Sequence, residues 1–423
     1  MNAPKIFYGW WIVLATSLIH CWGAGTFFYG FTAFFNPLVD EFGWSYSATS
    51  VAASIRSIEG GIASPLVGIA ADRFGARRLL LFGSIVTGFG FLLFSQINSL
   101  ASFYLVFFLL SIGSSFLFPV PGWTAVAGWF NKKRGLALGV LSGAIGVGGC
   151  FVYLTNILIV VYGWRTALVI IACGMWGVGI PCALVVRHRP ESYGLTQDGA
   201  PPEPSDPKTT SNGSRRIPGT QQGYSLRQAM KTQAYWGIAC ATTISAGCVH
   251  AVVVHVMPHL IGLDYTRQKA SLAAALIVIV SVLGRFGMGW FSTRIDSRKL
   301  LALSFILQAI GLIFLAEARN VWWILAFVAT LGPGYGGVIT LRLTVQAEYF
   351  GNAAFGAIQG SLMAIMMAGT ISSPLLTGVC YDVLGSYHLA WLVMAAVNLA
   401  VIPLILKIRP PQDLQRAPSA QTG

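Results

Sequence analysis

The eleven residues Gly68-Ile-Ala-Ala-Asp72-Arg73-Phe-Gly75-Ala-Arg77-Arg78 separate two long apolar runs, and their reading decides the fold. The runs on either side, near 47–70 and 78–96, are each close to the ~20 residues that an α-helix needs to cross a bilayer. Between them stand one acid and three arginines. Gly68 lets a second helix approach closely and Gly75 permits a tight turn. The Asp72 carboxylate suits the N-terminus of a neighbouring helix. A short basic link of this kind joins two antiparallel membrane helices.

The pattern returns 221 positions later, where Gly68, Arg73, Arg77 and Arg78 recur as Gly289, Arg294, Arg298 and Lys299. Further along, Trp129-Phe130 recurs as Tyr349-Phe350, and Gly135 and Gly139 as Gly356 and Gly360. Thr293 stands where a second Asp would fall, so any lock made by this loop is expected to be asymmetric. Six spans precede residue 187, near 10–34, 47–70, 78–96, 102–129, 135–160 and 164–186. Six follow, near 234–261, 268–291, 300–317, 321–345, 354–378 and 387–406. The expected organisation is an N-terminal six-helix bundle (1–186), a cytoplasmic linker (187–233), a C-terminal six-helix bundle (234–408) and a cytoplasmic tail (409–423). The linker holds PPEPSDPKTTSNGSRR, too polar to bury a core of its own.

Composition agrees. Of 423 residues, 55% are hydrophobic and only 10% charged, against about 25% charged in soluble domains. The net charge of +13 raises the question of a nucleic-acid partner. Twenty of the 27 Lys and Arg residues, however, fall in segments on the side of the N-terminus, and four (Arg165, Arg267, Lys269, Arg319) in loops on the other. That is the positive-inside pattern. It accounts for the charge without nucleic acid and puts both termini in the cytoplasm of a multi-pass inner-membrane protein. The first apolar run is too long for a signal peptide and lacks a small-residue cleavage site, so it is expected to remain as a helix. Seven cysteines, scattered singly, suggest neither a disulfide framework nor a metal site.

The Gly68–Arg78 loop resembles the signature of the major facilitator superfamily at every defining position. The resemblance implies an all-α membrane fold of twelve helices in two bundles related by a pseudo-two-fold repeat, with a substrate site between them. It also implies a gating role for Gly68, Asp72, Arg73, Gly75, Arg77 and Arg78, locking the cytoplasmic side. Within the superfamily the chain is similar to bacterial monocarboxylate porters and oxalate:formate antiporters. The segments that carry this are Tyr8-Gly9-Trp10-Trp11, Phe35-Asn36-Pro37-Leu38, Glu41-Phe42-Gly43-Trp44-Ser45, Arg134-Gly135-Leu136-Ala137-Leu138-Gly139, Tyr162-Gly163-Trp164-Arg165, Gly284-Arg285 and Gly334-Tyr335-Gly336.

Away from the ends of the spans, four charged side chains fall inside them: Arg56, Glu59, Arg285 and Arg342. Each must face protein or a water-filled cavity. Arg285 has no acid in its own span, and its planar fork matches a carboxylate bidentately. The resemblance likewise assigns the substrate carboxylate to it, and implies a further contact from Tyr335. Tyr29 and Tyr153 are weaker candidates, and Phe118 a pocket wall whose surroundings depart from the family pattern. Arg56 and Glu59 share a helix face. Either they neutralise each other, or substrate or a proton competes for one of them. Arg342 is expected to snorkel to the interface. His250, His255 and His259 are either buried hydrogen-bonding groups or, for His255, a protonation or substrate contact. No acid or cysteine completes a metal site around them.

The expected function is uptake of a small monocarboxylate such as lactate or pyruvate, as proton-coupled symport by rocker-switch alternating access. Proton-coupling candidates are Glu59, Arg56 and His255. Organic-anion exchange of the oxalate/formate type is the alternative, and drug export a more remote one. The eleventh span lacks the lysine of oxalate exchangers, which favours a single negative charge unless Arg56 supplies a partner for a second. Metal spacing, nucleophile elbow and phosphate loop are all missing, so neither enzyme activity nor a cofactor is expected.

Overall fold

The structure is a computed structural model and describes residues 7–188, 190, 193–199 and 223–411. Residues 201–216 of the expected linker, and the tail beyond 411, lie outside these. The described chain is almost entirely helical. Twelve long helices run in order: α1 (Tyr8–Phe42), α2 (Tyr46–Phe74), α3 (Ala76–Phe94), α4 (Leu100–Trp129), α5 (Arg134–Tyr162), α6 (Trp164–Val185), α7 (Gln233–Gly262), α8 (Arg267–Phe291), α9 (Ser297–Ala316), α10 (Val321–Phe350), α11 (Phe355–Leu384) and α12 (His388–Lys407). Eleven are long and apolar enough to cross a membrane. The twelfth, α2, has the length but carries Arg56, Glu59, Asp72 and Arg73.

The expected spans hold to within a few residues, with two informative exceptions. Helix α1 does not stop near 34. It passes through a π segment (Ala24–Tyr29) and a 3-10 turn (Gly30–Phe34) and continues as Phe35–Phe42, ending on Gly43 at φ +65°. Helix α4 breaks at Phe118, whose backbone is extended, and resumes at Val120. Pro119 and Pro121 lack the N–H groups that would carry the helix through.

The repeat is visible in the bonding. The indole of Trp129, at the end of α4, donates to the Arg187 carbonyl just beyond α6, at 3.1 Å. The Tyr349 hydroxyl, at the end of α10, donates to the Ile408 carbonyl just beyond α12, at 3.0 Å. Arg187 and Ile408 lie 221 positions apart, the offset of the sequence repeat.

The two bundles meet along two seams, α2 against α11 and α5 against α8. Both seams are built from glycine. At Gly68 an added Cβ would overlap the Gly356 carbonyl, and at Gly360 it would overlap the Ser64 carbonyl. At Gly139 it would lie 2.6 Å from the Arg285 carbonyl oxygen. These contacts occupy the half of the molecule that carries the basic loops, termed the basic end. The opposite half of α5, Phe151–Tyr162, packs chiefly on α1 and α6 of its own bundle.

The described ends of the interbundle segment are docked at the basic end. Asp198 accepts backbone N–H bonds from Asn131 (2.9 Å) and Lys132 (2.6 Å) in the α4–α5 turn. The Tyr224 N–H donates to the Phe350 carbonyl beside the α10–α11 turn, at 2.8 Å.

Candidate substrate site

Helix α8 carries Arg285 to the middle of the molecule, where it is 1% exposed. Its Nη1 donates to the Ser142 carbonyl of α5 at 2.6 Å. Gly146, one turn on, supplies the room: a Cβ there would stand 3.3 Å from the same nitrogen. The Tyr29 hydroxyl, from the irregular part of α1, lies within electrostatic reach of the guanidinium. It lies 5.6 Å from the centre of the Tyr335 ring in α10. Its Nε has no partner. The glycines around Tyr335 act as seats for neighbouring backbone. A Cβ at Gly336 would lie 2.9 Å from the Arg285 nitrogen, and one at Gly334 would lie 2.9 Å from the Gln308 nitrogen. Three of the expected substrate residues, Arg285, Tyr335 and Tyr29, therefore converge from α8, α10 and α1.

The other two do not join them. His255 points at the end remote from the basic loops. Its Nε2 bonds the Pro374 carbonyl at 2.9 Å, and its Nδ1 meets the Tyr387 hydroxyl at 3.3 Å. Both ring nitrogens are thus occupied at the α7–α11 contact. His259 binds the Leu315 carbonyl at 3.0 Å in the same structural manner. Phe118 backs onto α1, tilted against His20 with ring centroids 6.3 Å apart, rather than facing Arg285. Tyr153 is 75% exposed.

Two expectations are corrected. Arg56 and Glu59 share a face but form no ion pair. Arg56 reaches across to α1 and donates to the Phe28 carbonyl at 3.1 Å and the Phe27 carbonyl at 3.4 Å, with its charge 4.6 Å from the Phe28 ring centre. The π segment of α1 presents these carbonyls, so Arg56 is engaged in holding an irregular helix. Glu59 turns instead to α4 and accepts from the Ser115 hydroxyl at 2.9 Å.

Arg342 does not snorkel. It is 6% exposed, lies 5.1 Å from the centre of the Trp123 ring in α4, and has only the Met366 sulfur of α11 as a hydrogen-bond partner, at 3.3 Å. Helix α10 runs on to Phe350, so Arg342 is two turns inside its end, with its side chain turned into the protein. His20 of α1 was not anticipated. It is fully buried, and neither ring nitrogen has a partner. A lone histidine in an otherwise apolar span was its only sequence signal.

Among the described residues the ion pairs all lie at helix ends: Glu41 with Arg165, Asp296 with Arg298, and Glu317 with both Arg319 and His388. The central arginines thus have no carboxylate partner. At the basic end, Asp72 crosses to the other bundle. Its two oxygens accept the Gly356 and Ala357 N–H groups, at 2.9 and 2.8 Å, at the start of α11. Gly75 takes φ +83°, the left-handed region its turn requires. Arg73, Arg77 and Arg78 are exposed around it.

The profile of the Major Facilitator Superfamily matches residues 18–286 and 239–422. The chain belongs to the major facilitator superfamily. It is a multi-pass membrane transporter, not an enzyme. An uncharacterized MFS-type transporter of Bacillus subtilis, YcxA, is 24% identical, with 96% of each chain covered. Mouse monocarboxylate transporter 12 is 23% identical over 92% of this chain and 83% of the relative. Bovine monocarboxylate transporter 13 is 24% identical over 93% and 87%. Among solved structures, the Escherichia coli fucose:proton symporter FucP superposes with a TM-score of 0.68 at 16% identity, over 95% of this chain and 98% of that one. The human organic anion transporter MFSD10 gives 0.71 at 12% identity, over 95% and 100%. These likenesses establish the facilitator fold.

Proposed function

We propose that the protein carries small monocarboxylates of the lactate or pyruvate class across the inner membrane, with both termini in the cytoplasm. The observation that carries this is Arg285: a buried guanidinium between two phenols, with a free Nε and no acid beside it. A fixed cation with unused donors suits an anion small enough to enter, and Tyr29 and Tyr335 suit a hydroxyl or keto oxygen next to the carboxylate. Two of the relatives bear the name monocarboxylate transporter, in agreement with this reading.

The bundles 1–186 and 234–408 are the rocking units, joined by 187–233 and followed by the tail 409–423. The Gly68–Arg78 loop is the cytoplasmic gate. The structure then corresponds to the conformer closed on the cytoplasmic side. Of the proton-coupling candidates Glu59, Arg56 and His255, Glu59 is favoured, because Arg56 is held by α1 carbonyls and keeps its proton, and His255 has both nitrogens engaged in helix packing.

The test is uptake of radiolabelled mono- and dicarboxylates by purified protein in liposomes, beside ligand-induced thermal stabilisation. Arg285→Ala is expected to abolish carboxylate binding while the protein stays folded. Arg285→Lys keeps the charge but loses the fork, costing roughly 1.5–3 kcal/mol, or on the order of tenfold or more in affinity. Near-native affinity in Arg285→Ala would sink the proposal. Glu59→Gln is expected to lower pH-driven uptake more than counterflow exchange, and equal loss of both would make Glu59 structural.

A further inference from the structure

Arg342 is buried like Arg285, at 6% exposure against 1%, yet its position is different. It lies seven residues after Tyr335 on α10, two turns or roughly 10 Å nearer the basic end. There it lies on the basic-end side of the three residues at Arg285, with the Trp123 ring 5.1 Å away. Thr124, next to Trp123, already borders the glycine seam: a Cβ at Gly356 would lie 3.0 Å from the Thr124 hydroxyl.

Arg342 offers five N–H donors. One meets the Met366 thioether, a weak acceptor, and its Nε meets nothing. The indole N–H of Trp123, across the bundle interface, is also buried and unpartnered. Among the described residues no carboxylate pairs with Arg342. A buried cation and a buried N–H, contributed by opposite bundles and both lacking an acceptor, form an electrostatic vacancy for an anion.

We propose that Arg342 and Trp123 form a second carboxylate station, which receives the substrate from Arg285 as the cytoplasmic side opens. This rests on the carboxylate reading of Arg285. Separation of the bundles at the basic end parts α4 from α10 and exposes both donors to the inner vestibule. The station therefore binds substrate on the cytoplasm-facing side of the cycle, whereas Arg285 serves both sides.

Sidedness is the test. Initial rates of radiolabelled lactate or pyruvate flux are measured in right-side-out and in everted membrane vesicles for wild type, Arg342→Gln, Arg342→Lys and Trp123→Phe. Arg342→Gln is expected to raise the apparent KM from the cytoplasmic face by about tenfold or more, since a charge-assisted bond is lost, and that from the other face less than twofold. Arg342→Lys should recover part of the difference. Trp123→Phe keeps the ring, removes the donor, and should raise the same one-sided KM by about threefold. If Arg342→Gln is not recovered folded, Trp123→Phe decides alone. A cytoplasmic-face KM within twofold of wild type, or an equal rise on both faces, overturns the station and makes Arg342 a packing residue. Absence of saturable lactate or pyruvate flux in wild type from either face would instead overturn the carboxylate reading itself, and the station with it.

Discussion

The two copies of the repeated loop have come to do different work. In the first, Asp72 leaves its own bundle and caps α11 of the other with two short bonds. In the second, Thr293 bonds the Trp290 carbonyl of its own helix at 2.7 Å. The nearest acid, Asp296, caps α9 through the Arg298 N–H and pairs with the Arg298 guanidinium, both at 2.8 Å. One copy ties the bundles together and the other finishes a helix. The glycine packing, by contrast, is retained in both. Steric fit and charge at the same repeat can therefore diverge separately, and the contact between the bundles is symmetric in shape but one-sided in electrostatics.

The strongest way to break this comparison is Asp72→Asn. The carboxylate makes two charge-assisted bonds at a helix N-terminus, so its loss is expected to disfavour the closed gate by roughly 2–3 kcal/mol, on the order of 30- to 150-fold in the closed-to-open ratio. Spin labels on the exposed repeat mates Arg78 and Lys299 would report this as a longer distance across the basic end. An unchanged distance distribution would mean that the lock is elsewhere.

Next come the paired glycines. Gly68→Ala and Gly289→Ala each force a methyl group against backbone across a seam, the latter 2.5 Å from the Gly135 carbonyl oxygen. Each should cost about 1–3 kcal/mol of the closed form. Similar losses in the same label assay would show that the shape half of the comparison is symmetric, and a strongly unequal pair would refute it.

Thr293→Asp sharpens the charge half. Its repeat position faces the start of α5, where Gly135 meets Ser292 and Gly289. In the Asp72→Asn background it should restore about 1 kcal/mol of the lost closure. Thr293→Ala alone should change little, and a large effect would show that Thr293 already takes part in the lock.

The smallest effect belongs to Asp296. The Arg298 guanidinium holds its carboxyl below the usual carboxylate range. Its folded-state pKa is depressed, so its contribution is complete above the ordinary carboxylate pKa and is lost as pH falls through the lowered one. The pair is about one third exposed, which limits it to under about 1 kcal/mol. Asp296→Asn should lower Tm slightly at neutral pH and not at all at strongly acid pH. A deficit that persists in acid would mean that the carboxylate charge is not its cause.

The helices, the repeat and the basic end were legible because they follow from local composition: apolar runs of membrane length, and arginines in the links. Arg285 was legible because a lone charge in an apolar span has few explanations. The partners of Arg56, Glu59 and Arg342 were not, because they depend on the rotation of each helix and on breaks in its neighbours. Arg56 found the carbonyls of a π segment that no residue pattern in α1 announces. Glu59 faces Ser115 beside the break in α4. Arg342 was misread because α10 continues five residues past its expected end at 345, which places the arginine deeper. His255 had a position in the sequence suited to a site, but the structure commits it to Pro374 and Tyr387.

The seams have a kinetic consequence. Where Gly68 meets Gly356, Gly139 meets Arg285 and Gly289 meets Gly135, the bundles touch through bare backbone, and the side-chain bonds across the seams are few: Arg285 to the Ser142 carbonyl, and Asp72 to the start of α11. On the proposed rocking motion, parting them gives up many weak dispersion contacts gradually and strands few buried polar groups, which favours a low barrier between the two faces. The Asp72 bonds lie at the rim, where entering water replaces them as they break. On the alternating-access reading, a gate made in this way owes its speed to what its surfaces lack, and only its charged rim at Asp72 should respond to ionic strength.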